Sequence, residues 1–295
     1  MRIDNWTACP DLVDVYRDIE ALGLEKHLAE LEAFGFTVIE KALDDDTTVA
    51  MRDRILALAE KRLGNSLDLE NETEHKETKY AQYLLFEDPM FKEAVTNRKT
   101  LALIRYLLGK RCILSSLGSH VKGPGGPGLL LHSDNGNGYP DPFPPYSQVA
   151  NVNFCMTDYA EEKGAFAVVP GSHRHARQVT PAERGLDGNE RNPHAIAVEV
   201  PAGSAIVFHG NTWHGSFPRK VPGLRVNLAA FYCREYIQPQ EDRTHVPDGF
   251  LDGDADAELA GLLGRDLIHG WKEEGPKKLY ERRQEDVGRV RSWQS

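Results

Sequence analysis

From Arg111 onward the chain consists of short β-rich segments, and this pattern constrains the fold more than any other feature of the sequence. The segments are RCILSSLGSHV, GLLLHSD, QVANVNFCMTD, AFAVVPGS, AIAVEV, SAIVFHG and LRVNLAAFYC. Gly, Pro, Asn and Asp residues separate them, and no long helical pattern lies between them. Several such strands in one block favour an antiparallel sandwich or barrel over alternating βαβ units.

The first hundred residues have a different, mostly helical pattern. Apolar residues recur at three- and four-residue steps over Asp11–Phe34, and Gly23 is the expected break between two helices. A β-rich run follows over Gly35–Leu43, and Asp44 can cap the next helix. Further helix is expected up to Gly109, a plausible C-cap. We therefore predict a helical N-terminal part packed on a β core.

The charge balance excludes several classes of function. Lys+Arg number 35 and Asp+Glu number 45, so the formal net charge is −10. Nucleic-acid binding and adhesion to anionic lipid both require net basic surface, so we expect neither partner. No apolar run approaches the roughly 20 residues that cross a bilayer. The four cysteines lack metal-type spacing, and together these features predict a cytoplasmic protein without membrane insertion.

Two histidine contexts carry candidate chemistry. His132 and Asp134 stand two residues apart at the end of the apolar run GLLL, so a strand would direct both to the same side. His214 lies at the end of another apolar run. Two imidazoles and one carboxylate form the facial set that holds non-haem Fe(II) and leaves open coordination positions. Arg225 follows eleven residues later, and its guanidinium could bind a dicarboxylate in a bidentate manner.

These motifs together resemble those of the phytanoyl-CoA dioxygenase family of Fe(II)/2-oxoglutarate-dependent oxygenases. The resemblance is carried by HSD at His132–Asp134, VVPGSH at Val168–His173, PAGSAIVFHGNTWHGS at Pro201–Ser216, and Arg225. It implies a mainly β fold with α-helices, in which a double-stranded β-helix (jelly-roll) core is flanked by N-terminal and C-terminal helices. It further implies a single domain over residues 1–295. Within that domain, residues 1–110 are mainly helical, residues 111–236 form the jelly-roll core with the metal site, and residues 237–295 form a C-terminal helical tail.

The resemblance also implies roles for individual residues. His132, Asp134 and His214 are the implied iron ligands, while Arg225 and Ser216 are implied to hold the distal carboxylate of the cosubstrate 2-oxoglutarate. The implied cofactors are Fe(II), 2-oxoglutarate and O₂, and the implied reaction releases succinate and CO₂ while a substrate is oxidised, by default through hydroxylation. Ser119, Asn151 and Asn153 lie on strands expected to flank the iron and are the candidates for further cosubstrate contacts.

Alternatives remain open from the residues alone. A cupin-like metalloenzyme with a non-redox activity, such as an isomerase or hydrolase, could use the same triad, and a catalytically silent module could bind 2-oxoglutarate. His209 is the main rival of His214, although a core histidine is the commoner outcome for such a position. The loop of residues 135–146 could form a lid, with Tyr139, Phe143 and Tyr146 covering the substrate.

The expected partner is a small molecule. The aromatic, Pro-rich loop and the lack of an extended basic groove for coenzyme A favour a natural-product or lipid-like metabolite over an acyl-CoA. The sequence predicts either a monomer or a homodimer.

Overall fold

The computed structural model describes residues 10–74, 82–243, 245–253, 256–265 and 273, and it does not describe the side chains of residues 10–12, 136 and 137. The α-helices among these residues are Pro10–Ala21 (α1), Glu25–Phe34 (α2), Asp45–Leu63 (α3), Phe91–Val95 (α4), Arg98–Leu108 (α5) and Asp256–Leu262 (α6). None of these helices is long and apolar enough to cross a membrane.

Within the described residues, ten strands form two antiparallel sheets. The strands are Phe36–Ile39 (β1), Ile113–Gly118 (β2), Val121–Lys122 (β3), Leu129–His132 (β4), Val149–Cys155 (β5), Phe166–Val168 (β6), Ile196–Val198 (β7), Ala205–His209 (β8), His214–Ser216 (β9) and Arg225–Cys233 (β10). The major sheet has the order β1-β8-β5-β10-β2, with β3 also pairing with β10. The minor sheet has the order β4-β9-β6-β7. The two sheets form the jelly-roll core that the sequence predicts.

Strict alternation along β10 explains how one strand serves both the core and a cavity. Its even-numbered side chains, including Leu228 and Tyr232, pack in the main hydrophobic core with the helices. The odd-numbered side chains, including Arg225 and Phe231, line a cavity between the sheets. Successive side chains of a strand point to opposite faces, so the run RVNLAAFYC separates polar from apolar residues. The polar face of the major sheet is therefore directed at the minor sheet.

The helices cover the outer face of the major sheet and begin and end where the sequence predicts. Asp44 caps α3, because its side chain accepts a 2.7 Å hydrogen bond from the amide of Thr47. Gly35 ends α2 with a left-handed backbone (φ 81°), and its carbonyl accepts a hydrogen bond from the amide of His209 on β8. The helical part is thereby joined directly to the β core.

The helical N-terminal part and the β core expected from the sequence are not cleanly separated along the chain. β1 lies within the first 110 residues, yet it pairs with β8 and forms an edge of the major sheet. The expected C-terminal helical tail, residues 237–295, is described only in part: residues 237–243 and 245–253 are irregular rather than helical, and α6 follows.

Candidate metal centre

Three neighbouring elements bring His132, Asp134 and His214 together. His132 is the last residue of β4, and it pairs with His214, the first residue of β9. Asp134 begins a single 3₁₀ turn directly after β4. The exposed fraction of the His214 side chain is 8%, that of Asp134 is 12%, and that of His132 is 32%. Two strand ends and one turn thus direct three potential ligands into the cavity between the sheets.

The geometry of this triad fits one metal ion. One ligand atom from each residue can be chosen so that all three lie within 4.8 Å of one another. Nε2 of His132 lies 3.6 Å from Oδ1 of Asp134, and Nε2 of His214 lies 3.6 Å from Oδ2 of the same carboxylate. These separations leave room for an ion between the three groups rather than for direct hydrogen bonds.

Backbone carbonyls orient both imidazoles. Nδ1 of His132 lies 2.9 Å from the carbonyl oxygen of Leu130, and Nδ1 of His214 lies 2.9 Å from that of Thr212. When Nδ1 donates its proton to a carbonyl, Nε2 is left with a free lone pair, which is the usual arrangement of metal-binding histidines. Burial lowers the pKa of His214 to about 4, so this imidazole is neutral at neutral pH.

Other side chains hold the segment that carries the triad. Asn151 on β5 donates a 2.6 Å hydrogen bond from Nδ2 to Oδ2 of Asp134. Gln178 binds both backbone groups of Ser133: its Oε1 accepts from the Ser133 amide at 2.8 Å, and its Nε2 donates to the Ser133 carbonyl at 3.1 Å. Ser133 in turn donates a hydrogen bond to the carbonyl of Gly210. The His-x-Asp segment is therefore fixed from several directions.

The triad opens into a cavity of about 620 Å³ that is lined by both sheets. Arg225 and Ser216 line the same cavity, as the sequence predicts. Arg225 is 5% exposed and donates from Nη1 to the carbonyl of Gly164 at 3.1 Å, while its buried Nε has no hydrogen-bond partner. Buried donors are nearly always paired in native proteins, so this guanidinium has capacity for a further acceptor.

Lys122 is a second cation at this end of the cavity, and the sequence analysis missed it. It pairs with Arg225 across β3 and β10, and its Nζ donates to Oγ of Ser216 at 2.9 Å. Burial, followed by repulsion from Arg225, lowers the pKa of Lys122 to about 7. Neither cation forms an ion pair with a carboxylate among the described residues. Arg225, which is buried, and Lys122, which is half-buried and bound to the Ser216 hydroxyl, together provide a site for an anion.

The alternation of side chains along a strand could have identified Lys122 as a residue that faces the cavity. His120 and Lys122 alternate with Ser119 and Val121 in the run SHVKG, so they share the side that faces the cavity. His120 lines the cavity, and burial, followed by repulsion from Arg225 and Lys122, lowers its pKa to about 3. Pairing a cation on one strand with Arg225 on the next requires the strand register, which the sequence does not supply.

Of the remaining candidate residues from the sequence, some line the cavity and others lie elsewhere. Asn151 and Asn153 line the cavity, whereas Ser119 does not and has a buried Oγ without a partner. His209 is a buried histidine outside the triad, and its Nδ1 accepts a hydrogen bond from the amide of Asn211. The expected lid residues are absent from the described cavity lining, and Phe143 among them is buried with its amide bound to the carbonyl of Ala176.

Fold and site together define a class: a double-stranded β-helix protein with a His-x-Asp…His cluster facing the cavity between its sheets. Solved structures agree with this fold. HygX from Streptomyces hygroscopicus, with nickel and 2-oxoglutarate bound, has a TM-score of 0.58 at 19% identity, with 72% of this chain and 88% of that chain covered. The epimerase SnoN from nogalamycin biosynthesis has a TM-score of 0.53 at 19% identity, covering 78% and 91% of the two chains.

Sequence comparison identifies the family. The sequence profile of phytanoyl-CoA dioxygenase (PhyH) matches residues 31–226, about two thirds of the chain. The protein belongs to the phytanoyl-CoA dioxygenase family. Dioxygenase af480 of Aspergillus fumigatus is 27% identical over 158 residues, which are 53% of this chain and 49% of that protein. This chain therefore matches about half the length of that relative. Uncharacterized protein Rv1501 of Mycobacterium tuberculosis is 24% identical over 238 residues, which cover 79% and 84% of the two proteins.

Proposed function

We propose that this protein is a non-haem Fe(II)- and 2-oxoglutarate-dependent dioxygenase that oxidises a small organic metabolite. The observation that carries the proposal is the convergence of two imidazoles and one carboxylate on a cavity that is also lined by Arg225 and Lys122, neither of which pairs with a carboxylate among the described residues. Membership of the phytanoyl-CoA dioxygenase family supports the same activity. A non-redox metalloenzyme has no need of a dicarboxylate site beside its metal, so the two cations favour the oxygenase.

The triad fits Fe(II) by the chemistry of its donors. His132 and His214 would each offer Nε2, and Asp134 would offer one carboxylate oxygen while Asn151 donates to Oδ2. Two neutral nitrogens and one anionic oxygen leave a net positive ion with open positions. Bound iron supplies the activation of O₂ that couples oxidative decarboxylation of 2-oxoglutarate, to succinate and CO₂, with oxidation of the substrate.

Arg225, Lys122 and Ser216 would hold the distal carboxylate of 2-oxoglutarate. Arg225 offers a planar fork of donors, Lys122 offers a point charge, and Ser216 offers a hydroxyl that already accepts from Lys122. A carboxylate bound here would neutralise two cations that burial otherwise penalises. The neighbouring amides of Asn153 and Asn227 are hydrogen-bonded to each other at 2.5 Å, which fixes the polar wall between this end and the triad.

The reaction outcome is proposed at the level of oxidation. Hydroxylation is the default, and desaturation, epoxidation or rearrangement would use the same site. Structural neighbours include the epimerase SnoN and the carbocyclase SnoK from nogalamycin biosynthesis, which supports a natural-product metabolite as the substrate without choosing the reaction. We also propose that residues 1–295 form one domain whose jelly-roll core carries the whole site.

The proposal is tested by following 2-oxoglutarate turnover. Purified protein with 2-oxoglutarate, Fe(II), ascorbate and O₂ is expected to form succinate slowly even without substrate. His214→Ala should abolish this succinate, whereas His194→Ala, an exposed histidine outside the triad and its cavity, should leave it unchanged. Succinate formation that persists in iron-loaded His214→Ala protein would contradict the proposed triad.

A further inference from the structure

The cavity-facing side chains of β10 change from charged and polar at one end of the cavity to apolar at the other. These side chains are, in order, Arg225, Asn227, Ala229 and Phe231; the first two are buried and the last two are half-buried. At about 3.4 Å per residue, Phe231 lies about 20 Å along the strand from Arg225. The cationic end of the cavity therefore lies at Arg225, and the opposite end approaches solvent at Phe231.

The chain after β10 returns to this second end. The amide of Gln240 donates to Oγ of Ser115 at 2.9 Å, and the amide of Glu241 donates to the carbonyl of Ser115 at 3.0 Å. Oγ of Ser116 donates to Oε1 of Gln240 at 2.8 Å. Residues 240–241 thus lie against the free edge of β2, beyond residue 226, where the family match ends.

Glu241 ties this return segment to a third part of the chain. Its carboxylate is 3% exposed and accepts hydrogen bonds from the amides of Tyr83 at 2.7 Å and Leu117 at 3.2 Å. Arg243 neutralises the same carboxylate and also donates to the carbonyl of Leu114. Tyr83 has a left-handed backbone (φ 62°), which a non-glycine residue adopts only when its surroundings hold it. Glu241 therefore holds Tyr83, the residue after Gln82, and is itself the residue after Gln240, so it fixes the backbone beside both glutamines.

Gln82 and Gln240 both line the cavity and are both exposed. Because Oε1 of Gln240 is bound by Ser116, its Nε2 is the group left to donate into the cavity. The side-chain amide of Gln82 makes no hydrogen bond with the other described residues, since its contact with Arg62 uses the backbone carbonyl. Ser116, which binds Gln240, pairs with Phe231 across β2 and β10, so Gln240 lies at the Phe231 end of the cavity, and Gln82 lines the same cavity.

We propose that Gln82 and Gln240, positioned by Glu241, recognise the substrate, and that the substrate is an uncharged ring compound bearing hydroxyl or carbonyl groups. Amides can donate to and accept from such groups, and Phe231 provides an apolar surface for the ring. Among the described lining residues, Lys122, Arg225 and Asp134 carry charge, and all three have roles under the proposed function. No charged partner therefore remains in the described lining for a carboxylate, a phosphate or an ammonium group of the substrate. This inference rests on the proposed function, because it assigns the cationic end to 2-oxoglutarate.

The test uses three probes that share a cyclohexanol ring: trans-1,4-cyclohexanediol, trans-4-aminocyclohexanol and trans-4-hydroxycyclohexanecarboxylate. The protein is loaded with paramagnetic Mn(II) and saturated with 2-oxoglutarate, and the relaxation of the probe ring protons reports binding near the metal. The variants are Gln240→Leu, Gln82→Leu and their combination. Gln238→Leu is the matched control, because Gln238 is exposed in the same segment but does not line the cavity.

The neutral diol is expected to relax at least about threefold more than either charged probe, and this excess should be lost in the double variant and retained in Gln238→Leu. Binding of Mn(II) and of 2-oxoglutarate is measured for every variant. A loss of diol binding counts only where the variant still binds both. Preference for a charged probe, or equal loss in Gln238→Leu, overturns the inference while the proposed function stands. A wild-type protein that binds no Mn(II), or whose Mn(II) signal ignores 2-oxoglutarate, overturns the proposed function and the inference with it.

Discussion

The amide nitrogen of Asn151 lies 2.6 Å from Oδ2 of Asp134, and this hydrogen bond connects the major sheet to the triad on the minor sheet. Asp134 begins a turn rather than ending a strand, so its carboxylate depends on such a contact for its orientation. A hydrogen bond to one carboxylate oxygen also adjusts the donor strength of the other.

Asn151→Ala is expected to weaken metal binding by about tenfold or more, as is typical for partners of metal ligands. Competition with a chelating dye under anaerobic conditions measures this affinity. Asn153→Ala is the matched comparison, because Asn153 lines the same cavity without contacting Asp134. Equal effects of the two substitutions would show that the Asn151 contact has no special role.

Gln178 is expected to position His132 and Asp134 through Ser133, which stands between them. Gln178→Ala should weaken metal binding, and Gln178→Glu should restore part of the loss, because a carboxylate can accept from the Ser133 amide but cannot donate to its carbonyl. The dye competition distinguishes the two variants. If Gln178→Glu binds metal no better than Gln178→Ala although both are folded, the proposed positioning is wrong.

Binding of 2-oxoglutarate is expected to take up a proton above neutral pH. The pKa of Lys122 is about 7 in the ligand-free protein, so Lys122 is mainly neutral at pH 8, and a bound carboxylate favours its charged form. The affinity should therefore fall as the pH rises above about 7, by at most tenfold per pH unit. Calorimetry of the Mn(II) protein at pH 8, in buffers with different ionisation enthalpies, counts the protons.

Two substitutions of Lys122 distinguish the effect of its positive charge on 2-oxoglutarate binding from the effect of its protonation near neutral pH. Lys122→Arg should bind 2-oxoglutarate without proton uptake, and Lys122→Met should bind weakly and independently of pH, because neither side chain titrates in this range. Proton uptake that is unchanged in Lys122→Met would assign the titration to another group.

Gly35→Ala is expected to destabilise the fold by about 2–4 kcal/mol, since it adds a left-handed non-glycine residue and an overpacked contact. A Cβ at residue 35 would lie 2.5 Å from both Nδ1 of His173 and Oγ1 of Thr212. Gly23→Ala is the control, because its backbone is also left-handed (φ 64°) but nothing lies within 4 Å of the added atom. Urea unfolding followed by circular dichroism gives both values. Equal losses would mean that crowding at Gly35 does not contribute.

Much of the fold follows from local patterns in the sequence. The β-rich segment LRVNLAAFYC, the cap at Asp44 and the breaks at Gly23 and Gly109 are each set by nearby residues, and the structure confirms them. The triad was predicted because an i, i+2 pair on a strand and a family motif are both visible in one dimension. The structure brings these three side chains together as that prediction requires.

The missing parts depend on contacts between distant segments. Lys122 faces Arg225 only because of the β3–β10 register. Gln240 reaches the cavity through its bonds with Ser115 and Ser116, beside Glu241, which binds the amides of Tyr83 and Leu117. The aromatic loop also depends on a distant contact, since the amide of Phe143 donates to the carbonyl of Ala176 and its buried side chain lies outside the described cavity lining. Contacts between segments that are distant in the chain produce no periodic pattern in a single sequence.

The most direct test of the proposed iron and cosubstrate site is anaerobic absorption spectroscopy of the protein with stoichiometric Fe(II) and excess 2-oxoglutarate. A weak visible charge-transfer band is predicted, which should be absent in His214→Ala and should need a much higher 2-oxoglutarate concentration in Arg225→Ala. Wild-type protein that is shown to contain one iron per chain and yet gives no band on addition of 2-oxoglutarate would contradict the account.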